Sequence, residues 1–326
     1  QIYKIRAATR QDGVILGIMG PWDQPTPWPG IWWNLNVQLT YWPLYTSNHL
    51  ALAEPLPNSL RTYLPNLIAN VQPEYREDSA GLYRSTTARL SGGTFYPSLV
   101  ERPGDEGDPE VGNLLWACHN VWLHYRMNLD DGLLRDTLYP VLRRAVNYHR
   151  HFLEEGADGK LHLPRTRSPE YKSGPDCNYD LALLRWGAET LLKIDARLAL
   201  GDPLATAWRD IAARQAPFPE GDEGFLIARD VPLDSSHRHY SHLLMVYPLY
   251  QVNVEQPDGR ARILRSLEHW HHFPEALFGY SFTGGASIAA AIGNGDRALG
   301  YLNGLKRFIE PNTMYREAGP VIETPL

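Results

Sequence analysis

The chain lacks the features that would mark it as a disulfide-bonded, zinc-ribbon, membrane-spanning or polyanion-binding protein. Only two of its 326 residues are cysteines, Cys118 and Cys177, and they form no Cys-x-x-Cys pair. Neither a zinc ribbon nor a disulfide framework is predicted, although a single disulfide stays open. No apolar run approaches the roughly 18 residues that a bilayer-spanning helix needs. Basic residues form no cluster and the formal net charge is −6, which argues against nucleic acid or a membrane as the partner.

The ends of the chain carry little of what usually opens and closes a complete protein. The chain starts at Gln1 without a charged-then-apolar leader and stops at Leu326 without a polar tail. We therefore expect it to be part of a longer protein. A removed export signal and flanking domains both stay open.

Helical periodicity dominates the sequence, and strand patterns are few. Short apolar or alternating pieces beside Gly or Pro predict strands only at 14–16, 161–163 and 225–227. Apolar residues at the i, i+3, i+4, i+7 spacing predict helices. These cover residues 44–53, 59–70, 113–127, 142–153, 180–200, 203–214, 240–250, 257–272, 285–292 and 295–309. An all-α protein is predicted.

Long connecting segments rich in Pro, Gly and Asp join these helices. They cover residues 73–92, 101–110, 163–175 and 217–236, and loops of that length on a helical scaffold usually carry function. About ten helices with large loops fit an (α/α) barrel or toroid better than a four-helix bundle.

Residues 28–42 combine tryptophans with two asparagines. On an extended segment, Asn34 and Asn36 project to the same side, and their amides both donate and accept hydrogen bonds. The rings of Trp32, Trp33 and Trp42 offer flat apolar faces that suit the C–H side of a pyranose. A sugar pocket is one interpretation. A buried aromatic cluster, with asparagines that satisfy local backbone groups, is the other.

Glu170 lies in a long loop and directly follows Pro169, which restricts the backbone before it. If apolar neighbours desolvate this carboxyl, its pKa rises and it can stay protonated as a general acid at neutral pH. Solvation on the surface is the ordinary alternative.

A dense group of polar side chains occupies residues 235–242, before a predicted helix. His237, Arg238, His239 and His242 could hold sugar hydroxyls or cap backbone carbonyls. No third ligand has diagnostic spacing, so no metal is predicted. Glu323 lies in a proline-bounded apolar stretch and is either a helix N-terminal residue or a buried functional carboxylate.

Together these residues resemble the catalytic domain of glycoside hydrolase family 95, the inverting α-L-fucosidases and α-L-galactosidases. The match runs in order along most of the chain. It consists of Asn34-Leu35-Asn36-Val37-Gln38, Tyr41-Trp42-Pro43, Ser168-Pro169-Glu170 with Asp180 downstream, His237 to His242 with Tyr247-Pro248, and more loosely Gly279-Tyr280-Ser281 and Asn294-Gly295-Asp296.

The resemblance implies one (α/α)6 barrel over residues 1–326, without the β-domains that normally flank it. It also implies an exo-acting, inverting enzyme without a cofactor. In such an enzyme a carboxylic acid protonates the leaving oxygen while an activated water attacks from the opposite face, with the two carboxyls roughly 6.5–9.5 Å apart.

The resemblance assigns roles to individual residues. Glu170 is the acid, and Asn36, with Asn34 beside it, positions the water. Glu323 stands where the family has an Asp followed by Gly-Asn, so the base partner and the sugar stay open. The residues expected to bind the sugar are Asp180, His237, Arg238, His239, His242, Trp32, Trp33 and Trp42.

Two competing interpretations stay open. A polysaccharide lyase on a similar toroid would use Asn34, Arg238, His239 and Tyr240 and would not need Glu170 or Glu323. A glycan-binding protein that has lost its base would bind sugar without turnover. For an enzyme that degrades glycans, export to the periplasm or the cell exterior is the expected location.

Overall fold

The computed structural model describes residues 2–20, 28–92, 109–311, 314–318 and 321–322, the last two groups by their backbone alone. Helix is the main secondary structure in this part of the chain. The α-helical segments are α1 (Ile2–Ala8), α2 (Asn36–Thr46), α3 (Leu50–Ala53), α4 (Pro55–Thr62), α5 (Leu64–Ala69), α6 (Asn113–Asn128), α7 (Asp131–Leu133), α8 (Tyr139–Arg150), α9 (Asn178–Leu198), α10 (Ala205–Arg214), α11 (Gly259–His272), α12 (Gly279–Ala291) and α13 (Gly295–Leu305).

The strands are short and form small antiparallel pairs, together with one three-stranded sheet. They are β1 (Ile31–Trp32), β2 (Ser85–Thr86), β3 (Glu154–Glu155), β4 (Leu161–His162), β5 (Thr166–Arg167), β6 (Ser173–Gly174), β7 (Glu220–Gly221), β8 (Gly224–Phe225), β9 (Ile309–Glu310), β10 (Met314–Ala318) and β11 (Val321–Ile322). The prediction of a helix-rich chain with few strands is confirmed. Within the described residues, no helix has both the length and the apolarity to span a bilayer.

Most of the predicted helices are present, and one is wrong. Residues 240–250 contain a 3₁₀ turn at Ser241–Leu243 followed by further turns instead of a helix. Pro248 has no amide hydrogen to donate, so a helix cannot run through this segment with its hydrogen bonds intact.

The expectation of an extended segment at 28–42 is also wrong. Strand β1 ends at Trp32, a turn follows, and α2 begins at Asn36. Val37, Tyr41 and Leu44 are spaced at i, i+4, i+7 and are all buried, so burial of one helical face decides the conformation. Of the predicted strands, 161–163 contains β4 and 225–227 overlaps β8, while 14–16 has no strand.

One hydrophobic core joins the longer helices. Helix α9 packs against α8 and α10, and α6 packs against α2 and α8. Gly187 lies where α9 meets its neighbours, because a Cβ there would stand 2.9 Å from Val146 Cγ2 and 3.1 Å from Leu115 Cδ2. Close packing of three helices therefore requires glycine at this position.

The connections between the helices carry the polar loops. The β5–β6 hairpin lies between α8 and α9, and residues 235–242 lie between α10 and α11. The β1–β2 pair brings the segment before α2 beside residues 85–86. These three connections rest on the helical core and hold the polar residues identified from the sequence.

We expect Gly187→Val to lower the free energy of unfolding by about 2 kcal/mol, since extra methyl groups overpack the contact between α9, α8 and α6. The matched control is Gly300→Val on α13, where an added Cβ meets nothing within 4 Å and the change should stay within about 0.5 kcal/mol. Urea denaturation of both variants measures the difference. Equal losses at the two positions would contradict this packing.

Candidate active site

Glu170 lies at the tip of the β5–β6 hairpin. The amide of Ser168 donates to Lys172 O at 2.9 Å and that of Tyr171 donates to Ser168 O at 3.1 Å, which closes a tight turn. Glu170 has a φ of 54°, in the left-handed region that non-glycine residues adopt infrequently. The hairpin thus presents one carboxyl at its tip and fixes the backbone that carries it.

The Glu170 carboxylate binds two side chains of the histidine loop, which we define as residues 235–242. Its Oε2 accepts hydrogen bonds from Arg238 Nη2 and from His239 Nε2, the latter at 3.1 Å. Burial acts to raise the pKa of Glu170. The hydrogen bond and charge of His239 and the charges of Arg238 and Arg84 outweigh it and hold the pKa well below its ordinary value. The expectation that desolvation keeps this carboxyl protonated is therefore wrong for the free protein.

Aromatic stacking supports this contact. Tyr171 stacks on His237 with ring centroids 4.6 Å apart, and His237 stacks on His239 at 5.0 Å. Burial lowers the pKa of both histidines. His237 Nε2 donates to Pro169 O at 3.1 Å, and Ser168 Oγ shares a 2.7 Å hydrogen bond with Ser241 Oγ. The hairpin and the histidine loop therefore form one assembly.

Glu110 is a second carboxyl at this site and is almost fully buried. Its Oε1 accepts hydrogen bonds from the Glu170 amide and from Arg84 Nη1, each at 3.4 Å, and its Oε2 accepts one from Asn34 Nδ2 at 3.3 Å. Burial and, to a lesser degree, the charge of Glu170 raise the pKa of Glu110 to about 7, against the opposing charges of Arg84 and Arg167. The site holds two carboxyls whose pKa values shift in opposite directions.

The two asparagines differ in their surroundings. Asn34 lies in the turn between β1 and α2 and is buried, with its amide nitrogen on Glu110. Among the described residues, its Oδ1 has no hydrogen-bond partner. Asn36 is the first residue of α2 and lines a shallow recess with Trp32 and Thr40. Asn34 is thus hydrogen-bonded directly to Glu110, and Asn36 lies two residues further along, at the first position of α2.

The tryptophans are more buried than a sugar platform requires. Trp33 is fully buried and donates from Nε1 to Thr86 Oγ1 at 2.8 Å, so its ring belongs to the core. Trp42 packs edge-on against Tyr247. Trp32 lies beside the site, with the Arg84 guanidinium 5.8 Å from its ring centroid. Of the three, Trp32 is the one that the structure places near the carboxyls.

Two further residues expected to bind sugar are structural supports in this fold. Asp180 is fully buried and accepts a 2.6 Å hydrogen bond from Thr166 Oγ1 in β5, which anchors the hairpin from below. His242 is buried too, and burial lowers its pKa to about 3. Neither side chain is exposed in the free protein. Glu323 lies outside the described residues.

Glu110 and Arg84 are the members of the site that the sequence did not identify. Glu110 follows a Pro- and Gly-rich stretch of the sequence, just before α6, and its partners lie 26, 60 and 76 residues away. No local pattern distinguishes it from a solvated loop glutamate. Within the part of the chain that the structure describes, no group of three His, Cys, Asp or Glu side chains is arranged to hold a metal ion.

Comparison with known proteins gives a family-level match. The model of the glycosyl hydrolase family 95 catalytic domain matches residues 3–319. Alpha-L-fucosidase 2 of Arabidopsis thaliana is 22% identical over 343 residues, which cover 95% of this chain and 38% of the relative. Probable alpha-fucosidase A of Aspergillus niger is 24% identical over 176 residues, which cover 52% of this chain and 21% of that protein. The chain thus spans well under half the length of these relatives.

Solved structures with a similar fold include two glycosidase variants. One has a TM-score of 0.57 at 14% identity, and the other, in complex with glucose, has a TM-score of 0.56 at 14% identity. Each match covers 88% of this chain and 77% of the other. At this level of identity the likeness concerns the fold alone.

We expect Glu110→Gln to change how stability depends on pH. The pKa of Glu110 rises from 4.5 to about 7 on folding, so between these values the folded chain holds a proton that the unfolded chain has released. The contribution of Glu110 to the free energy of unfolding is therefore fully present below pH 4.5 and is lost as pH rises through 7. Relative to wild type, the glutamine variant should gain about 3 kcal/mol between pH 4.5 and 8.

Urea denaturation at several pH values measures this gain. Glu255→Gln, at an exposed position, is the matched control and should show no such trend. A constant difference between wild type and Glu110→Gln across the pH range would show that Glu110 does not hold a proton on folding.

Proposed function

The chain belongs to glycosyl hydrolase family 95, a family of glycosidases, and on that premise we propose that it is an exo-acting, inverting glycosidase of α-L-fucosides or α-L-galactosides. The observation that carries the proposal is the placement of Glu170 at a hairpin tip, with Arg238 and His239 on its carboxylate. The names of the curated relatives support a fucoside as substrate. A carbohydrate is thus the proposed ligand, and the proposal includes no cofactor.

Glu170 is the proposed general acid. It donates a proton to the glycosidic oxygen as the bond to the anomeric carbon breaks, while a water molecule attacks that carbon from the opposite face. In the free protein the hydrogen bond and charge of His239, together with the charge of Arg238, hold Glu170 ionised. The guanidinium is about one-third exposed, so sugar hydroxyls can reach it. As the guanidinium turns to the sugar, the Glu170 carboxyl loses the charge of Arg238 and its pKa rises.

The water is the proposed partner of Asn34 and Asn36, whose amide oxygens can accept its hydrogens. Glu323 is proposed as the negative group that takes up the proton, since it stands where the family has an aspartate. His239 lies on Glu170 and stacks on His237, Trp32 lies beside Arg84, and these three rings are the proposed contacts of the sugar. Trp33 and Asp180 support these elements through their hydrogen bonds, and Trp42 and His242 are not among the proposed contacts of the sugar.

For the architecture we propose one catalytic (α/α)6 barrel over residues 1–326, flanked by β-domains in the complete protein. The pairwise packing of α8 with α9, α9 with α10 and α12 with α13 supports a helical toroid. Secretion or export to the periplasm is part of the same proposal, because glycan substrates of this class lie outside the cytoplasm.

The structure argues against the lyase interpretation, because Tyr240, which would handle the proton, is buried. Tyr240 is buried against Trp270, with ring centroids 5.5 Å apart, and burial raises its pKa well above the ordinary value. A lyase tyrosine must reach the substrate. A glycan-binding protein without turnover is the alternative that the experiments below distinguish.

We expect Glu170→Gln to lower kcat by about three orders of magnitude or more while the protein stays folded, because glutamine keeps the shape but cannot donate the proton. The measurement is turnover of a fucosyl oligosaccharide, with circular dichroism as the check on folding. Near-normal turnover in this variant would remove Glu170 from the acid role.

We also expect the β-anomer of the free sugar to be released first, since attack opposite the leaving group inverts an α-linkage. Proton NMR of wild-type protein with a panel of α-L-fucosyl and α-L-galactosyl oligosaccharides detects the first anomer. Initial release of the α-anomer would mean retention. Binding without release of any sugar would favour the glycan-binding protein.

A further inference from the structure

Glu110 connects the two halves of the site through one buried carboxyl. Its Oε1 accepts from the backbone amide of Glu170, at the hairpin tip, and its Oε2 accepts from the side-chain amide of Asn34, in the turn before α2. Only 7% of the residue is exposed. Each of these groups lies on a different connection of the fold, so Glu110 fixes the acid and the asparagine relative to one another.

The backbone around Glu110 is also held firmly. Asn113 Nδ2 donates to Glu110 O at 3.4 Å, and Tyr179 in α9 donates to Asn113 Oδ1 at 2.8 Å. Gly112 lies so close to α9 that a Cβ would stand 2.6 Å from Tyr179 Cε1 and 2.8 Å from Asp180 Oδ1. The start of α6 is therefore packed closely against α9, and this packing fixes the backbone beside Glu110.

The hydrogen bond to Glu110 determines the orientation of the Asn34 side-chain amide, that is, whether its nitrogen or its oxygen faces Glu110. A carboxylate can only accept, so it selects the nitrogen of Asn34 and leaves Oδ1 for another partner. That oxygen is buried and has no partner among the described residues. This buried amide oxygen can accept a hydrogen bond from a water molecule.

We propose that Glu110 is a positioning residue for the hydrolytic water, because its carboxylate fixes the Asn34 amide with Oδ1 as the acceptor while holding the Glu170 backbone in place. The inference deepens the proposed glycosidase function and rests on it. Glu110 acts through Asn34 and Glu170 and does not itself contact the sugar.

The charge state of Glu110 then decides the direction of the amide. When Glu110 is protonated, its O–H can donate to Asn34 Oδ1, so the amide can also bind in the reversed orientation. In that orientation Oδ1 faces Glu110 and no longer accepts a hydrogen bond from the water. The charged groups that act on Glu110 are Arg84, Arg167 and Glu170. With its pKa near 7, the carboxyl changes charge in the neutral range.

This pairing gives an unusual pH profile for kcat/KM, which reports on the free enzyme. The active form needs Glu170 protonated and Glu110 ionised, although Glu170 is the stronger acid. As pH rises toward 7, the fraction of protein with Glu170 protonated falls while the fraction with Glu110 ionised rises by the same factor. The product of the two fractions stays constant, so kcat/KM is level below pH 7. Above pH 7 Glu110 is fully ionised, and kcat/KM falls about tenfold per pH unit as Glu170 loses its remaining protons.

The first test observes the amide directly and does not depend on turnover. In ¹H–¹⁵N NMR spectra of the wild-type protein, the Asn34 side-chain signals, assigned by their loss in Asn34→Ser, should shift with a midpoint near pH 7. Glu110→Gln should abolish that shift, and Glu255→Gln should leave it unchanged. Asn34 signals that do not respond to pH between 5 and 9 would overturn the proposal.

The second test measures kinetics on the oligosaccharide that the wild type cleaves. Glu110→Gln should lower kcat roughly 100-fold, the low end of what a positioned acid–base group contributes, with KM changed less than threefold. Its kcat/KM should fall steadily from pH 5 upward, without the level region. Glu110→Asp, which keeps the charge, should restore the level region and part of kcat.

These outcomes separate the two proposals. If wild-type protein cleaves no fucoside or galactoside while the Asn34 signals still titrate, the proposed function fails and the coupling of Asn34 to Glu110 stands. If wild type is active and Glu110→Gln keeps its kcat and its level region, the positioning role fails and the glycosidase function stands. A uniform loss of kcat and of folded protein in both Glu110 variants, without an Asn34 titration in wild type, would reduce Glu110 to a structural residue.

Discussion

Glu170 contacts Arg238 and His239, which follow it by 68 and 69 residues in the chain, and this contact joins two connections of the fold. The rest of the site depends on it. The hairpin that carries Glu170 is closed by its own backbone, anchored from below by Thr166 on Asp180, and fastened sideways by Ser168 on Ser241. The stacked rings of Tyr171, His237 and His239 hold the partner loop in the matching position. Rigid placement of this kind lets one carboxyl be aimed at a glycosidic oxygen.

A second constraint is the pair of carboxyls with opposite pKa shifts. Glu170 is held ionised by cations and by a hydrogen bond, whereas burial of Glu110 favours its protonated form. Neighbouring carboxyls with different environments are a common way of assigning separate acid–base tasks. In the free protein the proposed acid, Glu170, is the ionised carboxyl, whereas the simplest acid mechanism would have it protonated. In the proposed mechanism, a sugar that engages Arg238 raises the pKa of Glu170, so that sugar binding and proton transfer are linked.

Much of the fold follows from local pattern, and the failures have local causes. The periodic apolar residues of α6, α9, α10 and α11 predict helices close to those observed. The segment before Asn36 misleads because tryptophan and asparagine fit both a strand and the turn that precedes a helix, and only burial of Val37 and Tyr41 against the core decides between them. The helix predicted at 240–250 fails because its apolar residues are buried in a turn that contains Pro248. The proposed (α/α)6 barrel requires a particular arrangement of the helix pairs in space, which periodicity does not encode.

The sequence by itself determined the helical class, the polar loops, the motifs that identify the family, and Glu170, Arg238, His239 and Asn34 as members of one site. The tertiary structure alone decided that Trp33, Asp180 and His242 are buried supports, and that Glu110 belongs to the site. It also decided which carboxyl holds a proton. The physical reason is that a pKa and a hydrogen-bond direction depend on burial and on charges within a few ångströms. For Glu110 those charges come from residues 26 to 60 positions away in the chain, where no spacing rule reaches.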